Sequence, residues 1–307
     1  MEWCDDMSNI LIAGGTGLVG KHLVEYLKNK QHQLYIVTRS HRTSTDPNIE
    51  YVNWQEDGWG RKITKPIDIV INLAGATLND QWTDAYKEII LTSRMETTRA
   101  LRQFFETREE VPKILFNASA VGYYPPSETE TYNEGDQFEQ HNFLSSVVQA
   151  WEAEAKSFEQ LGTRVVIGRF GVILAEDGGA LGKMILPYRL FVGGKLGDGK
   201  QWISWVHVDD VVRAIDFSLE NPSIFGVFNI CAPHPVTQDE FGQTISSVLK
   251  RPHKLPLPAF VLKGLLGEQS SLVLDSIKVL PTRLQSKGFT FLYPTIPLAL
   301  GDVLAKH

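Results

Sequence analysis

Apolar and polar positions along the 307 residues follow two periods in turn. Short, nearly continuous Val/Ile/Leu runs recur at Asn9–Ala13, Gln33–Thr38, Ile49–Asn53, Ile67–Leu73, Lys113–Ala118 and Thr163–Arg169. That is the pattern of parallel strands buried on both faces. Between them, Leu18–Lys30 carries apolar residues at 18, 19, 23, 24 and 27, a helical spacing. Longer helical stretches are predicted at about Trp82–Thr107 and Phe143–Leu161. This alternation predicts an α/β fold built on a doubly wound parallel sheet. Beyond residue 170 the order becomes mixed, with Gly/Pro-rich loops and helices expected at Asp209–Leu219 and Thr237–Leu249. The expected division is a sheet domain over residues 1–170, drawing also on parts of 200–232, and a smaller mixed lobe over 171–307. The lobe should cover the carboxyl edge of the sheet, where ligands bind in such folds.

Composition narrows the class. With 43% hydrophobic and 21% charged residues, the chain reads as an ordinary globular protein. A net charge of −6 gives no footprint for nucleic acid or anionic membrane. No window approaches the 18 or so apolar residues of a membrane span. The opening MEWCDDMSN lacks the apolar core of a secretory signal. The two cysteines, Cys4 and Cys231, provide neither a disulfide framework nor metal-ligand spacing. A reducing, cytoplasmic setting and a small-molecule ligand are the expectation, with no metal, nucleic acid or membrane partner.

The strongest motif is GGTGLVG at Gly14–Gly20, between a predicted strand and a predicted helix, the context that gives such a pattern meaning. Gly14 would permit a tight turn, Gly17 a close backbone approach to a pyrophosphate, and Gly20 helix–strand packing. The free N–H groups at the helix start would face the phosphates. Gly14, Gly15, Thr16, Gly17, Leu18 and Val19 are therefore candidate cofactor residues. The next strand ends in Thr38-Arg39-Ser40, where an NAD-specific site would place an acid. A guanidinium there suits a 2′-phosphate, with charge-assisted bonds worth roughly 1.5–3 kcal/mol each. The reading favours NADP(H) over NAD(H); the alternative is a solvated strand-end arginine.

These motifs, with Asn72-Leu73-Ala74-Gly75, Asn117-Ala118-Ser119-Ala120-Val121-Gly122-Tyr123-Tyr124 and Trp205-Val206-His207-Val208-Asp209-Asp210, resemble the extended short-chain dehydrogenase/reductase superfamily. That superfamily includes the NAD-dependent epimerases and dehydratases and has a Rossmann-type sheet. The C-terminal Val279–Leu284 and Gly288–Phe291 segments resemble a poorly characterised epimerase-like subfamily that closes with a small C-terminal domain. The resemblance implies that Leu73, Ala74 and Gly75 pass near the pyrophosphate and ribose, and that Ala118 lies beside the nicotinamide. It implies Ser119 as the catalytic hydroxyl and Arg169 at the border of cofactor and substrate. It also implies a homodimer through the two long helices.

One expected pair is missing. The superfamily carries a Tyr and a Lys four residues apart, commonly followed by a Glu four residues later. Setting Glu152 as that Glu puts Val148 at the Lys position and Leu144 at the Tyr position. Neither can ionise. The literal Tyr26–Lys30 spacing lies in the first helix, on the wrong side of the sheet. Tyr123 and Tyr124 are then the candidate proton donors, because a phenol of ordinary pKa near 10 is protonated at neutrality. The alternative is that both simply line or pack the pocket.

Two further clusters leave alternatives open. Gly193–Trp202 is glycine-rich and suggests a mobile flap or an exposed hairpin; Gln201 and Trp202 are candidate substrate contacts. His207, Asp209 and Asp210 could form a metal or acid–base site, but Asp209 reads more simply as the cap of a helix. Two functions follow: an atypical oxidoreductase or epimerase-like enzyme working without the Tyr–Lys pair, or a catalytically degenerate NADPH-binding protein that acts through a partner.

Overall fold

The computed structural model describes residues 7–305; Cys4 and the rest of the acidic start lie outside them. In chain order the first elements are β1 (Asn9–Ala13), α1 (Leu18–Asn29), β2 (Gln33–Thr38), β3 (Ile49–Asn53) and β4 (Ile69–Asn72). They are followed by α2 (Asp84–Glu106), β5 (Ile114–Ala120), α3 (Phe143–Lys156) and β6 (Arg164–Phe170). Short β7 (Val172–Leu174) and α4 (Leu181–Arg189) lead to β8 (Trp202–Ile203), β9 (Trp205–His207), α5 (Val208–Glu220) and β10 (Gly226–Ile230). The remainder comprises β11 (Val236–Thr237), α6 (Gln238–Leu249), α7 (Ala259–Leu266) and short helices.

The apolar runs pair into one seven-stranded sheet of order β10-β6-β5-β4-β1-β2-β3, with every neighbouring pair parallel. Because β1 is flanked by β2 and β4, strand order reverses there, and a crevice opens at the carboxyl ends of β1 and β4. Ile10, Ile12, Phe116 and Val166 pack with Leu23 of α1 and Val211 and Ile215 of α5 on one face. Leu11, Val70, Leu115 and Ile167 pack with Leu101 of α2 and Ala155 of α3 on the other. The C-terminal lobe has a third core around Trp205, Tyr188, Phe241 and Leu300.

Helix starts follow from capping chemistry. Thr83 caps α2 by accepting the Tyr86 N–H. Asn142 caps α3 by accepting the Ser145 N–H, and the Ser145 hydroxyl accepts the Asn142 N–H in return. Thr237 and Glu240 form the same reciprocal box at α6; each such cap is worth about 1 kcal/mol. The expectation for α5 needs correcting. Its cap is His207, whose Nδ1 accepts the Asp209 N–H, and Asp209 lies inside the first turn. The predicted second long helix also divides, becoming α3 and a 3-10 turn over Ser157–Leu161.

Candidate functional site

The glycine loop after β1 has the geometry that the sequence called for. Gly14 takes a left-handed φ of +82°, and a Cβ there would stand 2.6 Å from the Leu73 carbonyl carbon. A Cβ on Gly20 would meet the Gly14 oxygen at 2.2 Å. The turn and the helix therefore close only with glycine at both places, and Gly17 is left exposed at the start of α1. The first N–H groups of a helix have no intrahelical acceptor, which makes this end a cradle for phosphate. At the end of β2, Thr38 is buried and its hydroxyl donates to the Ser40 carbonyl, while Arg39 and Ser40 are exposed. No acidic residue occupies the strand end. These residues fit a dinucleotide cofactor.

The floor of the crevice is a polar ladder between strands and helices. Asn72 of β4 donates from Nδ2 to Asn117 Oδ1 (2.7 Å) and Thr98 Oγ1 (2.9 Å). Its own Oδ1 accepts the Ala74 N–H at 3.2 Å, which shapes the Leu73–Gly75 loop. The Trp151 indole donates to the same Thr98 hydroxyl at 3.2 Å. One buried asparagine thus ties the loop to α2 and, through Thr98, to α3.

Ser119 lies one pleat beyond Asn117 and is also buried. Its hydroxyl donates to Glu152 Oε1 at 2.7 Å. Glu152 in turn holds Arg169 through Nε (2.7 Å) and Nη2 (2.8 Å), with both side chains 4% exposed. Burial works against the Arg169 charge, but the hydrogen bonds and the charge of Glu152 overcome it and raise its pKa. A buried carboxylate between a hydroxyl and a guanidinium is well satisfied. Arg169 consequently reaches the site through Glu152 and Ser119, and its guanidinium is not free for a cofactor as the resemblance implied.

The two tyrosines separate in role. Tyr124 is completely buried; its hydroxyl donates to Asn229 Oδ1 at 2.8 Å and receives Arg169 Nη1 at 3.1 Å. Burial pushes its pKa up to about 12. Its proton is spent in the core, so the expected donor role does not fit Tyr124. Tyr123 lies flat against Arg169, its ring centroid 3.3 Å from the guanidinium carbon. Its oxygen accepts the Phe138 N–H. It lines a cavity of about 330 Å³ with Glu134, Gln149, Lys156 and Val227, on the face of α3 opposite Trp151. Leu144 packs beside Gly122, with Cβ 3.4 Å from where a glycine side chain would begin, and Val148 is buried. The two positions that the sequence reading assigned to a Tyr–Lys pair are thus occupied by packed apolar side chains.

The remaining candidates are structural. Gln201 is buried, and its amide donates to the Leu196 and Val273 carbonyls at 2.9 and 3.1 Å. Trp202 donates its indole N–H to Glu128 O, with Lys278 3.9 Å above the ring. Neither is free as a substrate contact. The glycine-rich segment is no loose flap: Lys254 N–H donates to Gly193 O, Leu257 N–H to Lys195 O, and Lys195 pairs with Asp239 at 3.0 Å. His207, Asp209 and Asp302 offer donor atoms within 4.8 Å of one another. However, His207 Nδ1 accepts the Asp209 N–H, Nε2 faces Asp302 at 3.2 Å, and the ring stacks on Tyr293. Tyr26 and Lys30 both bind Asp216 of α5, far from the crevice. Cys231 is buried, donating its thiol to Val279 O.

Sequence reasoning missed Arg94. It lies on α2, with its guanidinium 5.1 Å from the Trp151 ring and in contact with Gly75. The signal was present: Ser93, Arg94, Thr97 and Thr98 put a polar stripe on the inward face of a long helix.

Comparisons with known proteins agree with this geometry. Residues 10–231 match the NAD dependent epimerase/dehydratase family, and residues 257–303 match a domain of unknown function, DUF1731. An epimerase family protein of Staphylococcus haemolyticus is 52% identical over 97% of this chain and 99% of its own. The crystal structure of the human epimerase family protein SDR39U1 with NADPH superposes with a TM-score of 0.86 at 32% identity, covering 97% of this chain and all of that one. A nucleoside-diphosphate sugar epimerase from Corynebacterium glutamicum gives 0.79 at 26% identity, covering 99% of this chain and 59% of the other. No helix among the described residues is long and apolar enough to cross a membrane. With a Rossmann-type sheet, a glycine phosphate loop at the switch point and a family match over most of its length, the chain belongs to the NAD-dependent epimerase/dehydratase family.

Proposed function

We propose that the protein is an NADP(H)-dependent oxidoreductase of the epimerase/dehydratase type, acting on a small carbonyl compound or a sugar-like alcohol. The observation that carries this is the end of β2, where exposed Arg39 and Ser40 stand in place of an acid. The NADPH in the human relative supports it. Gly14–Val19 would hold the pyrophosphate, Thr38–Ser40 the 2′-phosphate, and Leu73–Gly75 and Ala118 the nicotinamide half. The cofactor supplies hydride chemistry.

The chain supplies orientation and proton handling. Ser119 commits its own proton to Glu152, which leaves its lone pairs to accept from a substrate hydroxyl. Arg169 holds that carboxylate in place through two hydrogen bonds. Tyr123 accepts a backbone N–H through its oxygen and would be the proton donor to the substrate. A positioned acid or base contributes ~10²–10⁴-fold, so the pocket has a route that does not need residues 144 and 148.

Leu144 and Val148, together with the core position of Tyr124, favour a second reading, an NADPH-binding regulator without turnover. The deciding experiment follows NADPH oxidation across a panel of small carbonyl compounds and nucleotide sugars. The enzyme reading expects turnover with at least one, reduced ~10²-fold in Ser119→Ala, the scale of losing one orienting group. Stoichiometric NADPH binding with no turnover across the panel would favour the regulator.

A further inference from the structure

Arg169 and Arg94 pack against α3 from different sides, and of these two only Arg169 has a counter-ion. Arg169 is saturated by Glu152. Arg94, on the α2 side, spends its hydrogen bonds on neutral carbonyls: Nη1 on Ile90 O at 2.8 Å and Nη2 on Ala76 O at 3.3 Å. Of the five N–H donors of a guanidinium, those two bonds leave three. Among the described residues no carboxylate pairs with it, and burial, opposed only by the nearby Tyr86 hydroxyl, lowers its pKa to about 10. A half-buried charge without a partner is costly. A chain that retains one at the edge of a ligand crevice has a use for the missing anion.

Its position says where that anion comes from. The Leu73–Gly75 loop is clamped between two neighbours. On one flank, Gly14 is so close that an added Cβ would strike the Leu73–Ala74 peptide; on the other, a Cβ on Gly75 would meet the Arg94 guanidinium carbon at 2.8 Å. Ser93, the adjacent residue, accepts the Ala76 N–H at 3.0 Å, so α2 fixes the far end of the same loop. Trp151 supports the guanidinium from α3, one turn beyond Val148. The planar fork is thereby held rigid against the loop that borders the phosphate cradle, the arrangement that suits bidentate capture of an oxyanion.

We infer that Arg94 is the oxyanion-binding residue of the crevice, completing its charge with a phosphate or carboxylate of the bound ligand. The oxyanion belongs either to the cofactor's pyrophosphate or to the substrate. The inference rests on the cofactor reading above where the pyrophosphate is the source. It adds a residue that the missing Tyr–Lys pair does not account for.

The test titrates the full-length protein with inorganic phosphate at constant ionic strength, and separately with NADPH, in wild type, Arg94→Gln and Gly75→Ala. Gly75→Ala displaces the guanidinium with its charge intact and serves if Arg94→Gln fails to fold. The expected result is phosphate binding weakened at least tenfold in both variants. A parallel tenfold loss of NADPH affinity assigns the oxyanion to the cofactor. Unchanged NADPH affinity, with Arg94-dependent phosphate binding persisting in the NADP-saturated protein, assigns it to the substrate. Phosphate and NADPH affinities equal to wild type in the folded variants would overturn the inference. A wild type that binds phosphate through Arg94 but not NADPH would sink the cofactor reading and leave this one standing.

Discussion

The two halves of the crevice have been treated differently by this sequence. On the β1–β2 side, each residue type follows the demands of a nucleotide: glycine where a Cβ would collide, and exposed hydroxyl and guanidinium groups, with no acid, at the end of β2. On the β5–β6 side, apolar Leu144 and Val148 stand at the positions read from the sequence as those of a Tyr–Lys pair, and the polar groups turn inward. Ser119, Glu152, Arg169, Tyr124 and Asn229 form one buried chain of hydrogen bonds. The difference teaches that binding and chemistry are separable demands on one fold. A cradle for phosphate is mostly backbone, and substitutions there are sterically forbidden. A proton-transfer pair is only side chains, and apolar packing can replace it without disturbing the sheet.

The largest effect should come from Gly20→Val. Its Cβ would lie 2.2 Å from the Gly14 oxygen, so either the loop or the helix must move. NADPH binding should become undetectable by fluorescence titration, with stability falling by about 3 kcal/mol or more, the range of severe overpacking. Retention of both would mean that the β1–β2 side is not sterically constrained.

Next is Glu152→Gln. Removing one member of a buried pair strands the other, at a cost of about 3–5 kcal/mol, read as the shift in a urea unfolding curve. A small loss would show that the β5–β6 network is hydrated and still adaptable, which would narrow the contrast.

Tyr124 gives a pH signature of the same network. Its pKa is raised from the usual 10 to about 12, chiefly by burial. The folded protein therefore keeps the phenolic proton after the unfolded chain has lost it. The stabilisation is complete below about pH 10 and disappears as pH rises towards 12, amounting to roughly 2–3 kcal/mol over that window. Thermal melts at stepped alkaline pH should show this loss in wild type and a shallower one in Tyr124→Phe. Identical profiles would put Tyr124 in contact with solvent.

Smallest is Arg39→Ala, which should weaken NADPH binding about ten- to a hundredfold, as the loss of a charge-assisted contact of 1.5–3 kcal/mol implies. NADH binding should be almost untouched.

The sheet was readable because parallel strands buried on both faces announce themselves as apolar runs. All six expected strands begin and end within two residues of their observed limits, and Ile67–Leu73 contracted to Ile69–Asn72 because Pro66 and Asp68 belong to the loop that receives Asn9. The cradle was readable because its glycines are needed for local reasons. The β5–β6 side was not. That Glu152 would join Ser119 to Arg169 depends on three elements meeting, and no spacing along the chain encodes it. Gln201 and Trp202 looked like ligand contacts because polar and aromatic residues in a glycine-rich loop do; tertiary carbonyl acceptors claim both. His207 displaced Asp209 as the cap of α5 because an imidazole nitrogen can accept a backbone N–H as a carboxylate does.

The central claim is that the intact half of the crevice selects a 2′-phosphorylated cofactor. Side-by-side fluorescence titrations of the wild-type protein with NADPH and NADH test it most directly. The account predicts NADPH binding at least tenfold tighter than NADH binding. Equal affinities, or tighter binding of NADH, would contradict it.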